Sequence, residues 1–256
     1  MSPNSWVFDE TPLPRLGFLG QGTHGYVSLV RTPDGLLMAK KTSLRKYSED
    51  LEKELRILHH FYATKFNTVR PTSPIIFNET MPVNVKVTSI YMEVAPHGSL
   101  KDMITKAENV LIFPSYAQGE LCDLKLADFG LAKEPNGPDP APGSLFEGTP
   151  EYLAPEAVGP RGRISSAIDI WSLGVMVLDM LGFTIVGEVC DCLPETLSPM
   201  ARDFVRRCRV RTPTARATAE ELMGHPFLTQ SLEVPPLELL PVPSCLRNGV
   251  VEGRFF

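Results

Sequence analysis

The sequence predicts an α+β chain, with a small strand-rich N-terminal part and a mainly helical C-terminal part, on three observations. From Leu16 to Ser43 apolar and polar residues alternate on either side of Thr32-Pro33-Asp34-Gly35, and a Pro-Asp-Gly turn between alternating runs signals a β-hairpin. One stretch, Tyr47 to Phe61, breaks the alternation with Leu51, Leu55, Ile57 and Leu58 at near-helical spacing. After Ser99 the strand signature gives way to helical segments punctuated by Pro and Gly.

Taken in order, the entry hairpin is followed by a helix that starts at Ser48, a residue whose hydroxyl suits an N-cap, with Glu49 and Asp50 favouring the positive end of the helix dipole. Residues 63–82 are rich in Thr, Asn and Pro and read as loop with short strand fragments. Val83 to Val94 then returns to alternating β-branched residues. The apolar alternation of Leu124-Lys125-Leu126-Ala127 predicts a further short strand. Ser165 to Leu181, Ser198 to Cys208 and Thr218 to Met223 carry helical periodicity. The end of the chain, from Glu233, holds Pro235, Pro236, Pro241 and Pro243 without periodicity and reads as a flexible tail.

With 256 residues, of which 43% are apolar, the chain can bury one large core or two lobes. A net charge of -5 gives no electrostatic footprint for nucleic acid. The apolar run from Ile168 to Val186 is interrupted by Asp169 and Asp179, and charges at bilayer depth are costly, so it reads as a buried helix rather than a membrane span. Cys122, Cys190, Cys192, Cys208 and Cys245 form an odd set without C-x-x-C spacing, as reduced thiols would. Met1 to Glu10 shows no basic, then apolar, then small-residue leader, which makes an intracellular location, cytoplasmic or nuclear, the expectation.

Gly20-Gln21-Gly22-Thr23-His24-Gly25 fits G-x-G-x-x-G, a pattern shared with dinucleotide-binding folds. A dinucleotide site needs these glycines to open a helix. Here Tyr26-Val27-Ser28-Leu29-Val30 follows, so the glycines join two strands, as in a loop laid over the phosphates of ATP. In Met38-Ala39-Lys40-Lys41 the period of two puts Ala39 and Lys41 on one face and Lys40 on the other. Lys41 is thereby the candidate for the α- and β-phosphates. Asp128-Phe129-Gly130 ends a strand, where a carboxylate suits a magnesium ion, and Ala154-Pro155-Glu156 and Asp169-Ile170-Trp171-Ser172-Leu173-Gly174 follow it in order.

Together these motifs resemble a eukaryotic protein kinase over residues 16–228, with 16–98 as small lobe and hinge, 99–228 as large lobe and 229–256 as tail. Lys106-Ala107-Glu108-Asn109 and Gly148-Thr149-Pro150-Glu151-Tyr152 resemble the serine/threonine branch. The segment from Tyr91 to Leu100 resembles the hinge of MAP kinase kinase kinases, plant ones above all. The resemblance implies a bilobal fold, ATP and Mg²⁺ as ligands, and a protein substrate such as a MAP kinase kinase. It implies an ATP site made of Gly20, Gln21, Gly22, Gly25, Val27, Ala39, Lys41, Glu54, Met92, Glu93 and Val94, with Met92 as gatekeeper and Glu54 as partner of Lys41. Asn109 and Asp128 would take the metal, Thr149 would face the substrate, and Arg216 would pair with Glu156.

The chain departs from the family where catalysis is concentrated. The H-R-D-L-x-x-x-N motif puts its general base at Ile104, and an aliphatic side chain accepts no proton. Asp102, two residues earlier, is the nearest carboxylate. Between Ser99-Leu100 and Lys106 the family has two helices that are absent here, and a second gap lies near Leu181-Gly182. The gaps read as skipped or mis-joined exons as readily as an evolved form. Loss of a central helix predicts wet apolar surface on Ile168 to Leu181, at about 1.5–3 kcal/mol for each aliphatic side chain left unburied. Two functions follow as expectations: an ATP-binding serine/threonine kinase impaired by the lost Asp, or a pseudokinase that binds nucleotide or a partner.

Overall fold

The computed structural model describes residues 13–22, 24–64, 66–102, 107–115, 122–134, 137, 148–158, 164–183 and 193–230. Ile104, Lys106, Cys190, Cys192, Cys245 and the tail beyond residue 230 lie outside the described residues. Five strands, β1 (Arg15–Gly22), β2 (Gly25–Arg31), β3 (Leu37–Leu44), β4 (Phe77–Thr80) and β5 (Lys86–Glu93), form an antiparallel sheet in the order β1-β2-β3-β5-β4. The β2–β3 connection is the expected turn: Gly35 takes a φ of 89°, its N–H donates to the Thr32 carbonyl at 2.9 Å, and the Thr32 hydroxyl accepts from Leu36 N at 2.9 Å.

Helix α1 (Ser48–Thr64) lies against this sheet because Leu51, Leu55 and Leu58 recur on one face and close over Val69, Ile90 and Met92. A second apolar cluster, Leu29, Leu37, Ala39 and Val94, fills the opposite end of the sheet near the hinge. The chain leaves β5 through Val94 to Ser99, makes one 3-10 turn at Leu100–Asp102, and enters β6 (Val110–Pro114). The Ile112 N–H donates to the Gly98 carbonyl at 2.9 Å and Ser99 bridges to Leu111, so hinge and β6 are direct neighbours. β6 pairs with β7 (Cys122–Leu126), the strand read from Leu124-Lys125-Leu126.

The large lobe is built on α2 (Ser166–Met180), α3 (Pro199–Cys208), α4 (Ala219–Met223) and α5 (Pro226–Thr229). Sequence chemistry sets their starts. Ser198 accepts from Ala201 N at 3.2 Å ahead of Pro199, and Thr218 with Glu221 makes a reciprocal capping box. Phe204 and Val205 on α3 fit against Ile170, Val177 and Leu178 on α2. Cys208 lies in the same core, and burial pushes its thiol up to about 12, as befits an inert side chain.

The expectation that α2 would be left wet is corrected. Ile168, Ile170, Trp171, Val175, Val177 and Leu178 are all buried, and the exposed large apolar side chains of this segment are at its end, Met180 and Leu181. Leu124 and Leu126 on β7 are among the exposed apolar side chains. Among the described residues no helix is long and apolar enough to cross a membrane.

The closest approach of α2 and α3 is at Gly174, where an added Cβ would sit 2.6 Å from the Cys208 Cβ and 3.0 Å from the Arg209 Cγ. Gly174→Ala should therefore force the helices apart and cost about 1–3 kcal/mol despite its better helix propensity, read as a lower urea midpoint at unchanged slope.

Candidate nucleotide and metal site

The glycine-rich segment is a hairpin, with Gly20 opposite Val27, Gln21 opposite Tyr26 and Gly22 opposite Gly25. Its glycines do two different things. A Cβ on Gly25 would lie 2.0 Å from the Thr42 carbonyl oxygen, so Gly25 lets β2 cross β3. A Cβ on Gly20 or Gly22 would meet nothing within 4 Å among the described residues. The hairpin tip is tied down from below: the Ser43 hydroxyl donates to the His24 carbonyl at 2.6 Å, and the His24 and Tyr47 rings stand 4.4 Å apart.

On β3 the alternation sends the two lysines to opposite faces. Lys40 is held by both carboxylate oxygens of Glu79 at 2.6 and 2.8 Å and lies 5.6 Å from the Tyr91 ring centre. Lys41 turns to the other face and meets Glu54 Oε2 of α1 at 2.6 Å and Asp128 Oδ1 at 2.8 Å. Burial works against the Lys41 charge, but the Glu54 and Asp128 carboxylates outweigh it and hold the ammonium above its ordinary pKa. Burial in turn raises the Glu54 carboxyl against the pull of Lys41. Val27 and Ala39 line the sheet above, packed with Leu29, Leu37 and Val94.

Asp128 sits just past β7 with φ at 63°, a left-handed conformation that costs a non-glycine residue about 1 kcal/mol or more. Its neighbour Phe129 is seated against the α1 cluster, with the Phe61 ring 5.5 Å away, which fixes the direction of the turn. Asn109 precedes β6, and its carbonyl accepts from Ala127 N at 2.9 Å, bringing it alongside the strand end that bears Asp128. Among the described residues no three His, Cys, Asp or Glu side chains gather as a metal cluster. One carboxylate and one amide fit magnesium, which keeps waters and takes phosphate oxygens rather than a full protein cage.

At the end of β5, Met92 is buried in the α1 cluster and Val94 in the hinge cluster. The Glu93 carboxylate is engaged within the protein: Lys125 Nζ and Arg70 N reach its Oε1, each at 2.7 Å. Asp102 is similarly engaged, since its Oδ2 accepts from Ser99 N at 2.8 Å and Ser99 Oγ at 3.0 Å, closing its own turn. Thr149 is exposed, with its carbonyl accepting from Tyr152 N at 3.0 Å. Arg216 is no surface arginine: its side chain has 0% exposure, forks onto Glu156 at 2.6 and 2.9 Å, and donates to the carbonyls of Ala167 and Val210.

The chain is 30% identical to mitogen-activated protein kinase kinase kinase 18 of Arabidopsis thaliana, over 82% of the chain and 75% of that relative. It belongs to the protein kinase superfamily, in the eukaryotic serine/threonine branch. The family description "Protein kinase domain" matches residues 104–228 of this kinase chain. Mitogen-activated protein kinase kinase kinase 3 of the same plant is 32% identical over 64% of the chain, and human serine/threonine-protein kinase PAK 4 is 29% identical over 88%. The chain spans 27% of the former's length and 44% of the latter's.

Sequence reasoning missed Lys125, although the Leu124-Lys125-Leu126 alternation already sets it on the face opposite the two leucines. It also missed the fork of Arg56 on α1 to Glu134, at 3.4 and 3.2 Å, because nothing in spacing links residues so far apart in the chain.

The raised pKa of Lys41 carries a sign. Its contribution to stability is complete below the ordinary lysine value of 10.5 and is lost as pH rises through the higher folded value. Tyr91 and Tyr152, whose phenols burial also raises, act in the same direction. Unfolding free energy should fall from about pH 10 upward, and less steeply in Lys41→Met, as read from guanidinium titrations across that range.

Proposed function

We propose that this chain binds Mg²⁺·ATP as a serine/threonine kinase of MAP kinase kinase kinase type whose phosphotransfer is impaired by the missing catalytic-loop Asp. The observation that carries the reading is Lys41 Nζ set between Glu54 and Asp128 at 2.6 and 2.8 Å. A β3 lysine paired to the helix glutamate, with the metal-binding Asp in place, is the arrangement that phosphoryl transfer requires. Gly20, Gln21, Gly22 and Gly25 would lie over the phosphates, with Val27, Ala39, Met92 and main chain at Glu93 and Val94 around the base. Asn109 and Asp128 would hold Mg²⁺, which when bound neutralises charge developing on the phosphate oxygens.

What the chain's own residues supply is positioning. Lys41 offers a cation for phosphate oxygens, kept charged by its two carboxylates. Proton removal from a substrate hydroxyl has no provider at Ile104, and Asp102 spends an oxygen on Ser99. A positioned base is worth about 10²–10⁴ in rate. That engagement of Asp102 favours a second reading, a pseudokinase that holds nucleotide or a partner kinase. In either case the protein partner, a MAP kinase kinase as substrate or client, and an intracellular setting are part of the proposal, with Thr149 on the substrate side.

Titration with Mg²⁺·ATP should show binding that Lys41→Met weakens by about tenfold or more, since a charge-assisted contact to phosphate is lost. Labelled phosphate transfer should run about 10²–10⁴ below ordinary kinase turnover and vanish in Asp128→Ala. Transfer at an ordinary rate would show that another group serves as base, and an absence of binding would remove the kinase reading and leave only a pseudokinase that holds a partner.

A further inference from the structure

Lys125 lies on β7 three residues before Asp128, on the face opposite Leu124 and Leu126, and its ammonium reaches across to β5 rather than to solvent. It meets Glu93 Oε1 at 2.7 Å and stands 4.1 Å from the centre of the Phe113 ring. The carboxylate it holds is 6% exposed and also accepts Arg70 N at 2.7 Å, with the Arg70 guanidinium at 4.0 Å from its other oxygen. A buried carboxylate so fixed cannot swing without leaving a charge unpaired in the interior.

Main-chain bonds converge on the same place. The segment Asn67–Thr72 binds β7 on one side, through Val69 N to Leu126 O and Leu126 N to Asn67 O, each at 2.9 Å. On its other side it binds β5, through Glu93 N to Arg70 O and Thr72 N to Tyr91 O, each also at 2.9 Å. The strand that ends in the hinge and the strand that ends in Asp128 are thus joined twice, once by this intervening segment and once directly by Lys125 and Glu93.

We propose that Lys125 is a positioning residue that braces the hinge strand against the strand bearing Asp128, linking occupation of the base site to occupation of the metal site. The linkage rests on the nucleotide-binding reading above, whereas the brace does not. The two are separable by experiment on the full chain with Lys125→Met and Lys125→Arg.

Without ligand, amide hydrogen exchange at Glu93 and at Ala127 should quicken together by about tenfold in Lys125→Met and recover to within about twofold in Lys125→Arg, while Phe204 and Val205 in α3 keep their rates. Acceleration at Glu93 alone would overturn the brace, and acceleration extending to α3 would reduce Lys125 to general stability. With ligand, the gain in affinity that Mg²⁺ gives a non-hydrolysable ATP analogue should shrink about fivefold in Lys125→Met, with adenosine affinity held within about twofold. An equal loss for adenosine and the analogue would overturn the linkage. If the unmodified chain binds neither probe, the nucleotide reading fails and the exchange measurement alone decides the brace.

Discussion

Everything around the site depends on one ammonium shared by two carboxylates. Lys41 comes from the sheet, Glu54 from α1 and Asp128 from the end of β7, so a single nitrogen registers three elements that share no local sequence. Each partner accepts a penalty for it. Glu54 is almost wholly buried, and Asp128 is held at positive φ. Neither would persist if the surrounding packing did not over-determine it: Leu51, Leu55 and Leu58 fix the face of α1, and Phe129 seats the turn that presents Asp128. Polar geometry here is the product of an apolar cluster placed beside it.

The same logic runs through the large lobe at Arg216. Its guanidinium is sealed from water, forked onto Glu156, and lies 5.1 Å from the Trp171 ring, with Arg209 5.3 Å from that ring. A buried arginine with its fork satisfied specifies one arrangement of the segments it touches, because removing any acceptor strands a charge in the interior. The segment after Asp128 and the helical lobe are pinned to each other by this cation, as the small lobe is pinned by Lys41.

Much of this was legible in the sequence, for local reasons. Period-two alternation separated Lys40 from Lys41 and told β3 from a helix. Pro-Asp-Gly fixed the hairpin, and the cap chemistry at Ser198 and Thr218 fixed the helix starts. What the sequence did not yield was decided by packing between distant segments. The glutamate at position 93 reads as a hinge residue, yet its carboxylate is claimed by Lys125 from another strand. Asp102 reads as a spare carboxylate near the catalytic loop, yet its oxygen closes a turn on Ser99. Wet surface was anticipated on α2, yet α3 and its neighbours cover its apolar face. Periodicity shows which face of an element is apolar, not which neighbour is there to cover it.

The short stretch of chain between β5 and β6 bears on how the protein finds its fold. A long insertion at this point would delay the ladder that joins Gly98 to β6 until after a wide excursion. Here the contact of Gly98 with Ile112 closes over a short segment. Loop-closure entropy grows with the logarithm of loop length, by about 0.6 kcal/mol per doubling, and low separation between contacting residues favours rapid assembly. The contact of β6 with the end of β5 is thereby a local one, of the kind that topology favours early.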